Sequence, residues 1–347
     1  MKHVIIPIFV PHKGCPNDCI FCNQKKISGQ ISDMTPEKIN EIVEEHLKTI
    51  KQDAFVEIAF YGGSFTAIEE ELQQSFLREA YKYAAAGRVS EIRLSTRPDR
   101  IDSKILDMLE LYGVRTIELG VQSLDDVVLR ASCRGHDASC VYRSCELIKS
   151  RGFRLGIQTM TGLPGDTRDK CITTAKKVIS LSPDMVRIYP VLVIKGTGLE
   201  ELMKAGLYKP QRLDEAVDIC AELLEMYEGN GINVIRIGLQ PTDNIREENS
   251  DVSAGPFHPA FRQLVESRLV LRRIESNIIS QGLQNAQEIT IHTGISNISN
   301  AVGQKKSNIS YLKNKYGFKK IRVLPSEDAS VDIACTAISC EVYMGNK

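Results

Sequence analysis

Six times in the first 190 residues an apolar, β-rich run ends in Gly, Pro or polar residues and gives way to a stretch with helical spacing. That alternation constrains the fold more than any other feature of the chain. The runs are Val4–Pro11, Val56–Tyr61, Glu91–Leu94, Thr116–Val121, Arg154–Thr159 and Met185–Pro190. Between them the spacing predicts helices over Thr35–Ile50, Glu69–Ala85, Ser103–Tyr112, Ala138–Arg151 and Lys170–Leu181, the first opened by a capping Thr35 and by Pro36 in its first turn. Strands that alternate with helices pair in parallel through right-handed crossovers. Six units are fewer than the eight that close a TIM barrel. The expected class is therefore α/β, a partial (β/α)6 barrel of the TIM type, splayed on one side.

Beyond about residue 195 the pattern changes. Leu199–Ala205 and Leu213–Asn230 read as helices, Asn233–Gly238 as a short strand, Asp243–His258 as a polar loop and Pro259–Gln281 as a helix. Strand Glu288–His292, helix Ile295–Tyr316 and strand Lys320–Leu324 then suggest a small βαβ appendage. Residues 1–240 are expected to form the core, and residues 241–347 an extension over the open side of the barrel.

With 42% hydrophobic and 25% charged residues, the chain falls outside the disordered, collagen-like and membrane classes. The apolar run Val4–Val10 contains Pro7 and leads into His12 and Lys13, so it reads as a strand rather than a leader. No stretch approaches the roughly 18 to 20 apolar residues that span a bilayer. A cytoplasmic location without a membrane partner is expected, and there thiols stay reduced, so the ten cysteines point to metal or to packing rather than to disulfides. Lys plus Arg equals Asp plus Glu at 44 each, which leaves no global field toward nucleic acid.

The loop after the first strand reads Gly14-Cys15-Pro16-Asn17-Asp18-Cys19-Ile20-Phe21-Cys22, a CxxxCxxC spacing rich in turn formers. Three thiolates can converge there. Structural zinc and ordinary four-cysteine clusters want four ligands, so three cysteines without a near fourth leave one metal position open to a substrate or cofactor. A zinc site completed by His12 is the alternative on spacing alone. The other cysteines, Cys133, Cys140, Cys145, Cys171, Cys220, Cys335 and Cys340, are scattered without CxxC pairs and read as packing residues. Among them Cys133 lies beside Arg134.

CxxxCxxC with Phe21 before the last cysteine resembles the cluster motif of the radical S-adenosylmethionine (SAM) superfamily. The strings YGGSFTAI (61–68), STRPD (95–99), IELGVQS (117–123), RGH (134–136), MTGLPGDT (160–167) and YPVLVIKGTGLEELMKAGLYKP (189–210) are similar to the radical core of the Elongator catalytic subunit, the Elp3 family, over roughly residues 1–240. The resemblance implies a [4Fe–4S] cluster held by Cys15, Cys19 and Cys22, with SAM chelating the remaining iron through its methionyl amino and carboxylate groups. One electron passed to the sulfonium breaks the C5′–S bond and yields a 5′-deoxyadenosyl radical. The resemblance also assigns the motif aromatic Phe21, the glycines Gly62 and Gly63 at the methionine amino end, and Ser95, Gln122, Arg134 and Gln158 to the cofactor site. A guanidinium such as that of Arg134 suits a carboxylate because its planar fork pairs two oxygens. An electron donor such as flavodoxin or ferredoxin is implied as a partner, and a tRNA or other RNA as the leading substrate.

The chain also departs from that family. Ser95 stands where Elp3 proteins have Glu before TRPD, and Gln158 where they have His, so a carboxylate for the ribose hydroxyls is not supplied from position 95. The Gly-rich turn of an acetyltransferase domain is not found, so transfer from acetyl-CoA is not expected. For RNA there remains a local basic stretch, Lys305, Lys306, Lys313, Lys315, Lys319, Lys320 and Arg322. A non-catalytic cluster- or haem-binding module related to coproporphyrinogen oxidase, or a radical enzyme acting on a small metabolite, stands as the other reading.

Overall fold

A computed structural model describes residues 2–10, 19–23, 34–51, 53–239, 251–326 and 333–337. It divides into two compact units. The first comprises residues 1–219 and 226–259, the second residues 220–225 and 260–347.

The first unit is built on seven parallel strands in sequential order: β1 (His3–Val10), β2 (Phe55–Gly62), β3 (Glu91–Thr96), β4 (Val114–Gln122), β5 (Arg154–Thr161), β6 (Met185–Pro190) and, past a two-residue strand β7 (Val193–Ile194), β8 (Asn233–Ile237). The first six are the runs that the sequence singles out. The seventh, read there only as a short strand after the core pattern, pairs with β6 through Met185↔Asn233 and its neighbours. Edges β1 and β8 do not pair with each other, so the sheet stays open. It is nevertheless curled: Tyr61 on β2 and Arg187 on β6 would lie about 19 Å apart across a flat sheet with ~4.8 Å between strands, yet Arg187 Nη2 donates to Tyr61 Oη at 2.8 Å. A partial barrel results.

The helices on the outer face are α1 (Pro36–Leu47), α2 (Glu70–Ala85), α3 (Ser103–Leu111), α4 (Asp126–Ala131), α5 (Ala138–Ser150), α6 (Arg168–Ser180), α7 (Gly198–Lys204) and α8 (Leu213–Gly229). Their starts are chemically marked. Thr35 accepts from Lys38 N, Asp102 from Ile105 N, Asp137 from Cys140 N and Thr197 from Glu200 N, each satisfying one of the free amides of a first turn. Alternate strand residues Ile58, Phe60, Ile92, Leu94, Ile117, Leu119, Leu155, Ile157, Val186 and Ile188 are buried. Their neighbours Glu57, Arg93, Glu118, Gln158 and Arg187 bond to one another across the strands and so line the concave face.

The second unit contains α9 (Phe261–Ser280) and a sheet in the order β11 (Lys320–Pro325), β10 (Glu288–Thr293), β12 (Ile333–Ala337), with β11 parallel and β12 antiparallel to β10. Its core joins Ile274 and Ile278 to Ile289, Ile291, Leu312 and Phe318. The helix expected over 295–316 is broken into α10 (Ile298–Val302) and α11 (Ser307–Tyr316). Gly303 at φ +76° and Lys305 and Lys306 at φ +52° and +63° form the break, and a Cβ at Gly303 would lie 2.8 Å from Asn308 N. The strand β12 was not legible as a separate element, and no described helix is long and apolar enough to cross a membrane.

Candidate functional site

The cysteine loop follows the C-terminal end of β1, the end at which barrel enzymes build their sites. Cys15 and His12 lie outside the described residues; Cys19 and Cys22 are described. Cys22 N donates to Cys19 O at 2.9 Å, a turn that sets the second and third cysteines of the motif side by side. The turn is pinned from two sides: Ile20 N donates to Ser132 O past the end of α4, and Leu199 N donates to Ile20 O at 2.7 Å at the start of α7. Gly198 leaves room for this approach, since a Cβ there would lie 2.9 Å from Ile20 Cγ1. Ile20 and Phe21 pack against Val128, Leu163, Val191, Val193 and Leu199. Phe21 thus holds the loop down by its apolar ring.

Cys19 is buried, and its sulfur faces two guanidinium groups. Arg134 Nη1 donates to Cys19 Sγ at 3.1 Å, and Arg97 Nη1 stands 3.9 Å away. Arg134 also donates to Gly120 O, leaving its buried Nε without a partner. Gln122 leans over the same glycine. A bulge between Gly120 and Gln122 ends the β4–β5 ladder, and Gln122 adopts φ +68°, a strained conformation for a residue with a side chain. A Cβ on Gly120 would come within 3.1 Å of Gln122 Nε2 and 3.5 Å of Arg134 Nη2, so the glycine is what lets both side chains share this spot. Gln122 Oε1 is buried and unpartnered.

The remaining residues singled out from the sequence line the same strand ends. Gly62 has φ +106°, and a Cβ there would lie 2.6 Å from Val10 O, which Gly63 N instead reaches at 3.3 Å. Ser64 Oγ, buried, accepts from Arg97 N and bonds Thr96 Oγ1 at 2.9 Å, so the GGS and STRPD strings are tied together. Ser95 and Gln158 meet one layer deeper, Gln158 Nε2 donating to Ser95 Oγ and to Glu118 Oε2, both at 3.2 Å.

Below them lies a group that the sequence reading passed over. Glu57 and Glu118, each about 1% exposed, are bridged by Arg93, and Arg187 donates to both oxygens of Glu118 and to Tyr61. Arg154 reaches Glu57 and Glu91 from the half-exposed side. Burial and the charge of Glu118 raise the Tyr61 phenol above its usual value, so it stays neutral. A signal was present: single charged residues alternate with apolar ones in VEI, IRL, IEL and VRI, and in a sheet covered on its outer face that puts the charges inside.

The radical SAM superfamily model matches residues 9–178, and the Radical_SAM C-terminal domain model matches residues 183–270. The chain belongs to the radical SAM superfamily. It is an enzyme of the radical SAM class. The tRNA uridine(34) acetyltransferase of Methanocaldococcus infernus is 32% identical over 184 residues, 47% of this chain and 34% of that protein. Human Elongator complex protein 3 is 32% identical over 239 residues, 62% of this chain and 42% of that protein. The chain therefore spans well under half the length of these curated relatives. The structure of M. infernus Elp3 lacking its N-terminus superposes with a TM-score of 0.61 at 23% identity, covering 82% of this chain and 64% of that one, and so shares the radical SAM fold.

The donor set suits the cofactors of that superfamily. Two cations beside a buried sulfur suit an anionic cluster, and Gln122 Oε1 and Arg134 Nε are buried polar atoms without a partner in the protein. Among the described residues no three His, Cys, Asp or Glu side chains gather to hold a metal, Cys15 being outside that set. His136, beside this site, is pushed down to about 4 by burial and by Arg134 and Arg97, so it adds no charge. Cys133 is exposed at φ +53°, while Cys145, Cys171, Cys220 and Cys335 are buried. In the second unit Lys315 of the basic stretch is answered by Glu275, and Lys319 donates to Gln287.

Proposed function

We propose that the chain binds a [4Fe–4S] cluster on Cys15, Cys19 and Cys22, reductively cleaves SAM, and directs the resulting radical at an RNA, with tRNA as the leading substrate. The observation that carries the reading is the buried Cys19 sulfur at 3.1 Å from the Arg134 guanidinium, at the C-terminal ends of the strands. Bound there, the cofactors would supply a one-electron reduction of the sulfonium and a 5′-deoxyadenosyl radical. The chain's own residues bind and orient. Gly62 and Gly63 offer main chain without a Cβ to the methionine end, and Ser95, Gln122, Arg134 and Gln158 contribute amide, hydroxyl and guanidinium groups to its polar parts. Phe21 and the apolar residues around it keep water from the cysteine loop. The RNA reading is supported by the names of the relatives above, which match this chain over only a part of their length. A cytoplasmic setting with a flavodoxin- or ferredoxin-like donor fits these needs.

The test is anaerobic reconstitution with iron and sulfide, then dithionite and SAM. Repeated release of 5′-deoxyadenosine is expected, and more of it with unmodified tRNA present, together with a mass shift in the RNA. A colourless, air-stable zinc protein would overturn the cluster, and a brown protein that releases no 5′-deoxyadenosine would leave it a binding module instead.

A further inference from the structure

Arg97 occupies a place that neither its motif nor the site residues above explain. Its side chain is 4% exposed, and every edge of its guanidinium is committed. Nε and Nη2 grip the two oxygens of Asp99 at 2.8 and 3.2 Å, Nη2 also donates to the main-chain oxygen of Arg134, and Nη1 points at Cys19 Sγ. Its own main-chain N is held by Ser64 Oγ at 3.1 Å. One planar fork thus joins the segment after β3 to the loop between α4 and α5 and to the cysteine loop. A rigid guanidinium can hold that geometry; a flexible ammonium cannot.

We propose that Arg97 is a positioning residue that fixes the Arg134 guanidinium against the Cys19 sulfur and thereby raises the reduction potential of the iron–sulfur cluster that Cys19 ligates. The inference rests on the cluster-binding reading above. Reduction adds negative charge to the cluster, and among the described residues Arg97 and Arg134 are opposed by the single carboxylate of Asp99, which a second cation, Arg100, also approaches at 3.9 Å. A positive surplus of this kind favours the reduced form, and hydrogen bonds to cluster sulfurs act in the same direction. The role is electrostatic as well as structural, so substitutions that change charge in opposite senses should move the potential in opposite senses.

The experiment compares wild type, Arg97→Gln, Arg97→Lys and Asp99→Asn after anaerobic reconstitution, with iron content and the midpoint potential read by EPR-monitored titration. Arg97→Gln is expected to keep its cluster with a midpoint moved to more negative potential. Arg97→Lys, which keeps the charge but not the fork, should shift the same way by less, and Asp99→Asn should shift to more positive potential. If Arg97→Gln loses its cluster, the opposite shifts of Arg97→Lys and Asp99→Asn carry the test. An unchanged midpoint in a fully loaded Arg97→Gln, or shifts of one sign in the Arg97 and Asp99 variants, overturns the proposal while leaving the cluster in place. A wild type that takes up no cluster overturns the site reading and this inference with it.

Discussion

Two groups of buried charge sit in the same curled sheet, a few residues apart along its strands, and they are built differently. In the middle, Glu57 and Glu118 are matched by Arg93 and Arg187, with Tyr61 and Gln158 taking up further hydrogen bonds, and only Arg93 Nε lacks a partner. At the strand ends, among the described residues, two arginines face one carboxylate and a cysteine sulfur, and Gln122 Oε1, Arg134 Nε and His136 Nε2 are all buried without partners. Charges buried at such cost persist where protein groups answer them or where something else does. The middle group is answered almost wholly by its own members, whereas the end group leaves three buried polar atoms unanswered by the protein, as the proposed ligand site requires.

That contrast can be broken at either group. The largest effect is expected from Cys19→Ser, which should abolish the brown cluster chromophore; a variant that keeps a full cluster would remove the end group's role. Next, Glu118→Gln should lower unfolding free energy by about 3–5 kcal/mol in denaturant titration, because it takes from Arg187 its carboxylate partner in the barrel interior and leaves Arg93 with Glu57 alone. A loss near zero would mean the middle group is not sealed. Arg134→Ala should leave the iron in place and weaken SAM binding by about tenfold to a hundredfold in calorimetry, the worth of a charge-assisted hydrogen bond; unchanged affinity would confine Arg134 to the sulfur.

The smallest effect concerns His136. Its folded value of about 4 lies below the unfolded ~6.5, so the unfolded chain binds more protons between those values. Stability from keeping it neutral is whole above pH ~6.5 and is lost as pH falls toward 4. Wild type should therefore lose on the order of 1 kcal/mol more than His136→Gln between pH 7.5 and 4.5, and parallel thermal midpoints across that range would contradict it.

What the sequence made legible follows from what leaves a local trace. The first six strands show as apolar runs with period-two polarity, and Thr35, Asp102 and Asp137 mark helix starts through hydrogen bonds made within three residues. The break at Gly303–Lys306 was missed because two lysines in left-handed conformation carry no such trace. The short α4 and the pairing of β7 with β9 (Val252–Ala254) depend on contacts distant in sequence. In the site, the cysteine loop, the glycine pair, Gln122 and Arg134 stand out as strings. The link from Arg97 to Cys19 spans 78 residues, and that from Arg187 to Tyr61 spans 126, so neither is visible until the strands are curled.

Gly156 on β5 has a consequence for how this interior can vary among relatives. A Cβ at that position would lie 2.8 Å from Glu118 Cγ and 3.3 Å from Met185 Cγ, so the acid occupies volume that the neighbouring strand has vacated. Any homologue that gains a methyl at the position equivalent to 156 must shorten, move or neutralise its counterpart of Glu118, and with it re-pair both arginines. Those positions should therefore drift through evolution as a linked set rather than one by one.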